Sequence, residues 1–173
     1  MSHTNSFVFF WGPEHQNGEF SNWYPSPFVH DEIEYNCAEQ FMMHKKAILF
    51  GDTEVAGLIM EQTDPKKQKF LGRQVRGFDQ QQWMNVCVDV MVPGLVSKFT
   101  QDEDLLRIIL ETKDAILVEA SPLDKIWGIG MDRKDPDATD PTKWKGLNLL
   151  GDALMRARDE IKRLGFSTTT GSR

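Results

Sequence analysis

Between residues 145 and 164, Leu147, Leu150, Leu154, Ala157, Ile161 and Leu164 recur at helical spacing with charged residues between them. That spacing draws one apolar stripe along a helix, and such a stripe must be buried against a partner. Similar patterning predicts helices over 38–50, 53–62, 65–73, 79–99 and 102–112. The 79–99 segment turns Trp83, Val86, Cys87, Val90, Met91, Leu95 and Phe99 inward. Pro93 lies inside it and lacks a backbone donor, which predicts a kink or a restart. Strands are few. Residues 7–11 read as a buried strand stopped by Gly12-Pro13, residues 28–35 as a hairpin around His30-Asp31, and residues 115–120 as a short strand. The expected class is α+β, predominantly helical, in a single compact domain with a few short strands. The domain is expected over residues 1–166, with 167–173 as a disordered tail. Residues 12–27 read as a loop, and residues 129–144 as a long polar loop of the kind that forms lids or binding segments.

The chain has 173 residues, 40% of them hydrophobic, which suits one core. It lacks an apolar run of membrane-spanning length, and Met1-Ser2-His3-Thr4-Asn5 lacks a signal-peptide profile. The two cysteines, Cys37 and Cys87, are expected to be reduced, and the protein cytoplasmic. A net charge of −6 argues against strong non-specific binding of nucleic acid, which depends on neutralising phosphates. Lys66, Lys67, Lys69, Arg73 and Arg76 are the local exception. They read either as a phosphate-binding patch or as a solvated helix face. His3, His15, His30 and His44 lack metal-ligand spacing, and the cysteines do not supplement them. There is no phosphate-cradling glycine loop, dinucleotide fingerprint or supportable Ser/His/Asp arrangement. No cofactor and no metal are implied.

The segment from Tyr35 to Ala47 carries an acid, Glu39, and an amine, Lys46, seven residues apart at the start of a helix. Two helical turns place them on nearly the same face, roughly 10 Å apart along the axis. A carboxylate and an amine converging on one cleft suit a hydrolase acting on a sugar–base bond. The alternative is a pair of solvated surface charges. By periodicity alone, Lys45 falls near the middle of the face defined by Phe41, Met42, Ile48 and Leu49, and Lys46 at its edge.

Further motifs join this helix. They are Phe20-Ser21-Asn22-Trp23, Leu71-Gly72-Arg73, Trp83, Lys98-Phe99, Leu117-Val118-Glu119, Asp124 with Trp127-Gly128, and Asn148-Leu149-Leu150-Gly151. In this order, from about residue 7 to 164, the set resembles the NADAR family, the YbiA-like N-glycosidases. The resemblance implies a hydrolase of N-glycosidic bonds. It implies as substrates either ADP-ribose attached to guanine, in nucleotide or modified nucleic acid, or phosphorylated ribosylamino-pyrimidine intermediates of riboflavin synthesis. The chain has Gln40 where some relatives have histidine, and a longer 131–144 loop than the bacterial riboflavin-associated members. Both differences weigh against the riboflavin substrate, and ADP-ribose on guanine is the favoured reading. A non-catalytic module that binds ADP-ribose or NAD is the reading from another class. No membrane partner is expected.

The family motif places its lysine seven residues after the glutamate, which selects Lys46. The implied catalytic residues are Lys46, Glu39 and Asp124, and the implied substrate-binding residues are Asn22, Trp83, Trp127 and Gly128. A lysine made neutral by burial can attack an anomeric carbon and pass through a Schiff base. In the alternative, a charged Lys46 donates to the leaving base or a phosphate while Glu39 activates water. A carboxylate beside the sugar favours the developing cation on either route. Trp83 and Trp127 offer indole faces for a nucleobase. On local grounds alone, Asp124 reads equally well as a turn residue, Asn22 as a turn former and Trp83 as core.

Overall fold

The structure, a computed structural model, describes residues 6–168. Most of the expected tail, 169–173, and the first five residues lie outside this range. Ten main elements follow in order: β1 (Phe7–Phe10), β2 (Phe28–His30), β3 (Ile33–Tyr35), α1 (Ala38–Leu49), α2 (Thr53–Glu61), α3 (Pro65–Gly72), α4 (Gln80–Thr100), α5 (Glu103–Glu111), β4 (Ile116–Glu119) and α6 (Leu149–Arg163). Short 3-10 turns occupy Gly18–Phe20 and Pro141–Lys143. The expected α+β class, predominantly helical, is the observed one.

Aspartates start four of the helices. The side chains of Asp52, Asp64, Asp79 and Asp102 accept from Val55, Lys66, Gln82 and Leu105 backbone N–H groups, which the helices themselves leave unpaired. Pro65 follows its cap at the first helical position, where a missing N–H costs nothing. Pro93 does not break α4, which runs unbroken from Gln80 to Thr100. The hairpin turns through Asp31 and Glu32, both at positive φ, as the primed turns that match strand twist require. The last helix starts later than its stripe predicts, at Leu149, because Asn148 adopts a left-handed conformation with φ 53°.

The strands form two pairs, β1 parallel to β4 and β2 antiparallel to β3. The register of the parallel pair sets Phe10 opposite Glu119. One side of the β1–β4 pair carries Val8, Phe10 and Leu117 into the main core with the helices. Gly94 of α4 lies where α1 crosses it; a side chain there would fall 2.3 Å from the Phe41 ring. The other side carries Phe7, Phe9, Ile116, Val118 and Ala120 into a second, smaller core, closed by Ile129, Met131, Ala138 and Trp144 of the 129–144 loop. That loop is therefore a packed layer over the sheet. Trp144 Nε1 donates to Ala138 O at 2.8 Å within it. Among the described residues no helix is long and apolar enough to cross a membrane.

Candidate active site

The first turn of α1 is held by groups from several elements. Lys98, buried on α4, donates to Glu19 O at 2.7 Å and Ser21 O at 3.0 Å, which pins the loop before α1. Burial pushes the Lys98 amine down to about 7. Asn22 O then accepts from Glu39 N at 2.9 Å, capping the helix. Gln40 accepts from Asn36 N and donates to the carbonyls of Ile59, Met60 and Gln62, tying α1 to the end of α2. Gln68 of α3 donates to Asn36 Oδ1 and Gln62 O, which sets the position of its neighbour Lys69. A second acid arrives from the end of β4. Asn148 Oδ1 accepts from Glu119 N and its Nδ2 donates to Leu117 O, each at 3.0 Å, as a neighbouring strand would.

Glu39 is 3% exposed, and its Oε1 has no hydrogen-bond partner among the described residues. The same holds for Glu119 Oε2 and Asn22 Oδ1. Orphaned buried acceptors are costly and rare in a folded chain, and two of these three belong to acids whose charges act on each other. Burial, more than any other cause, pushes the Glu39 carboxyl up to about 7. Lys69 opposes that rise, Asp124 adds to it, and Lys46 and the Trp23 indole oppose it. Burial pushes Glu119 to about 8, with help from the negative charges of Asp124 and Glu39 and against Lys69. Glu39, Glu119, Asp124, Lys46 and Lys69 thus share one electrostatic neighbourhood. Neither of two surface cavities, about 360 and 260 Å³, includes Glu39 or Lys46.

Lys46 is 9% exposed, whereas Lys45 is only part-buried, its Nζ 5.6 Å from the Phe41 ring centroid. The motif, and not periodicity, located the buried amine. Burial lowers the Lys46 pKa; Glu39 opposes this and Arg73 reinforces it. Its Nζ lies 4.1 Å from the Phe78 ring centroid, a cation–π contact that favours the ammonium and tempers the effect of burial.

The other expected residues divide. Asp124 Oδ1 accepts from the backbone N–H groups of Ile126 and Trp127, so it is a turn residue in geometry, yet its charge reaches both buried glutamates. Trp127 is part-buried on the rim of the main core. Trp83, 6% exposed, belongs to that core, and Trp127 and Trp23 show more indole surface. Gly128 is buried, and a side chain on it would meet the Asp124 and Glu119 carbonyl oxygens at 2.9 Å. Its smallness lets the chain close over the acid cluster.

Residues that sequence reasoning did not single out as site members are Glu119, Trp23 and Phe78. Glu119 and Trp23 stood inside quoted motifs, which was the available signal. The basic patch splits. Lys69 and Arg73 act on the cluster. Arg76 is bound to Asp52 at 2.7 Å and Glu54 at 2.9 Å, and Lys66 and Lys67 are solvent-exposed.

The NADAR domain family matches residues 9–162. N-glycosidase R617 of Acanthamoeba polyphaga mimivirus is 42% identical over 165 residues, covering 91% of this chain and 97% of its own. Protein irg-1 of Caenorhabditis elegans is 39% identical over 158 residues, 82% of this chain and 74% of its own. The NMR structure of E. coli YbiA is similar with a TM-score of 0.75 at 26% identity, covering 96% of this chain and 92% of that one.

Proposed function

This chain belongs to the NADAR family and is a hydrolase of N-glycosyl compounds, and from that premise we propose that it removes ADP-ribose from guanine, with Lys46 as nucleophile. The observation that supports this most is a pair of carboxyls, Glu39 and Glu119, each with a buried oxygen that has no partner among the described residues, with Glu39 acting on the charge of the buried amine Lys46. Burial lowers the amine and raises the carboxyl to about 7, which narrows the gap in proton affinity across which a proton must pass.

Glu39 takes a proton from Lys46, and the free amine attacks the anomeric carbon. The carbon–base bond breaks as the new carbon–nitrogen bond forms. The departing base takes its proton from Glu119, whose carboxyl, at about 8, is mostly protonated at neutral pH. The sugar ring opens to an imine on Lys46, and water hydrolyses it to the free aldehyde and the amine. Asp124, held by its turn, favours positive charge on the sugar. Lys69 and Arg73 supply the cations that a phosphorylated sugar needs. Trp127 and Trp23 offer faces to the base, and Asn22 Oδ1 an acceptor for its edge or a sugar hydroxyl. A cytoplasmic setting would supply both a nucleotide and a modified nucleic acid as substrate.

The test is to incubate the protein with ADP-ribosylated guanosine and, separately, with a phosphorylated ribosylamino-pyrimidine. Release of guanosine in preference to the pyrimidine is expected. Preference for the pyrimidine overturns the substrate reading while leaving the glycosidase chemistry intact.

A further inference from the structure

The 129–144 loop bonds the backbone of Glu119 and Asp124 but contributes no charge to the acid cluster, and as a packed layer it opens a cavity of about 260 Å³ at the strand ends. The cavity is lined by Trp11, His15, Gln16, Asp132, Arg133 and Lys134 and floored by Ala120, the residue after Glu119. Because β1 and β4 run parallel, Trp11 leaves the sheet beside the point where Ala120 leaves it. The C-terminal ends of parallel strands are where such sheets receive ligands. Strand alternation puts Glu119 on the helix side and Ala120 on the loop side, so the cavity lies around the strand ends from the acid cluster.

The lining chemistry is specific. Trp11, 37% exposed, stacks on His15 with ring centroids 5.6 Å apart and planes at 16°. Arg133 Nη2 donates to Gln16 Oε1 at 3.0 Å, which steadies the guanidinium across the mouth. Asp132 Oδ1 accepts from the Lys134 backbone N–H at 2.8 Å, fixing the turn that presents both cations. Two cations against one carboxylate leave the cavity net positive. A free phosphate would have no use for an aromatic pair, and an uncharged aromatic ligand none for two cations. The volume lies below the roughly 300–1,000 Å³ of pockets that enclose a whole ligand of drug size, so it suits one moiety of a longer molecule.

We propose that this cavity is the subsite for the distal nucleoside diphosphate of the substrate. The nucleobase stacks on Trp11 beside His15, the diphosphate meets Arg133 and Lys134, and Asp132 accepts from a ribose hydroxyl. The assignment rests on the ADP-ribose reading of the preceding subsection and specifies which surface selects that substrate over a singly phosphorylated one.

Calorimetric titration with ADP-ribose and with ribose 5-phosphate tests it, using the wild type, Trp11→Ala, Trp11→Phe and the double variant Arg133→Ala/Lys134→Ala. All three positions are exposed, so the variants should fold. ADP-ribose affinity should fall by about 10- to 100-fold in Trp11→Ala and in the double variant, and largely return in Trp11→Phe. Ribose 5-phosphate binding should stay unchanged in all of them. ADP-ribose binding that is equal in wild type and variants, or absent from the wild type, overturns the subsite. The guanosine-release assay separates the two readings. Variant-sensitive ADP-ribose binding without guanosine release upholds the subsite and rejects the guanine substrate. Guanosine release with variant-insensitive binding rejects the subsite alone.

Discussion

Glu39, in the first turn of α1, and Glu119, at the end of β4, are buried in one electrostatic neighbourhood, and each has an oxygen without a hydrogen-bond partner among the described residues. Burial raises the proton affinity of both, and the charges of Asp124 and Glu39 raise that of Glu119 further.

The raised proton affinity should be visible in stability. Each carboxyl has an ordinary value of 4.5 and rises to about 7 for Glu39 and about 8 for Glu119 in the folded protein. Between these limits the folded chain binds more protons than the unfolded chain, so stability falls as pH rises through the window and is lowest above it. Glu39→Gln and Glu119→Gln should therefore melt near the wild type at about pH 5 and above it at about pH 9, gaining ~2–4 °C for each kcal/mol relieved. Thermal melts at both pH values check this. A variant gaining nothing at the higher pH contradicts the burial of an ionised group there.

The same groups shape the rate. With Lys46 acting as a free amine and Glu119 as an acid, kcat/KM should follow a bell-shaped pH profile. Its alkaline limb should begin near the Glu119 value of about 8. Glu119→Gln should lower the rate by about 10²–10⁴-fold and flatten that limb. An unchanged limb in the variant removes Glu119 from proton transfer.

Lys69 and Arg73 make separable predictions. Lys69 opposes the rise of both buried glutamates, so Lys69→Met should move the pH profile upward as well as raise KM for a phosphorylated substrate. Arg73 opposes charge on Lys46, so Arg73→Met should raise the lysine's pKa and move the acid limb upward. Steady-state kinetics across pH distinguish these from a shared phosphate role, in which KM alone would change.

Unmodified nucleic acid should bind weakly. The chain is net −6, and Arg76 is tied up by Asp52 and Glu54. Few phosphate contacts give a shallow salt dependence. Tight, steeply salt-dependent binding of plain duplex in a titration series would contradict this and restore the α3 patch as an interface.

Much of this architecture was legible because periodicity reports burial. Leu150, Leu154, Ala157 and Ile161 form the buried stripe of α6, whereas Leu147 and Leu164 lie beyond its ends and are exposed; the apolar run from Phe7 became a strand that ends at Phe10, one residue before the exposed Trp11. The start of α6 was not legible, since Asn148 leaves the helical region to bind the edge of β4 with its side chain. Glu119 was hidden for a related reason. A lone acid ending a strand looks solvated until the 120–128 segment folds back, with Ile129 N donating to Glu119 O at 2.9 Å. Lys45 and Lys46 show the limit of a helical wheel. The wheel ranks faces of one helix, whereas Phe78, from a separate segment, covers Lys46.

The most direct test of the account is reductive trapping at Lys46. Borohydride added while the wild type turns over ADP-ribosylated guanosine should fix the sugar on Lys46, read as a mass increment on the peptide that carries it. Lys46→Arg should give no adduct and no turnover, because a guanidinium keeps its charge and cannot form the imine. Continued turnover by Lys46→Arg, with no adduct on the wild type, would contradict the account and leave Glu39 activating water beside a sugar cation.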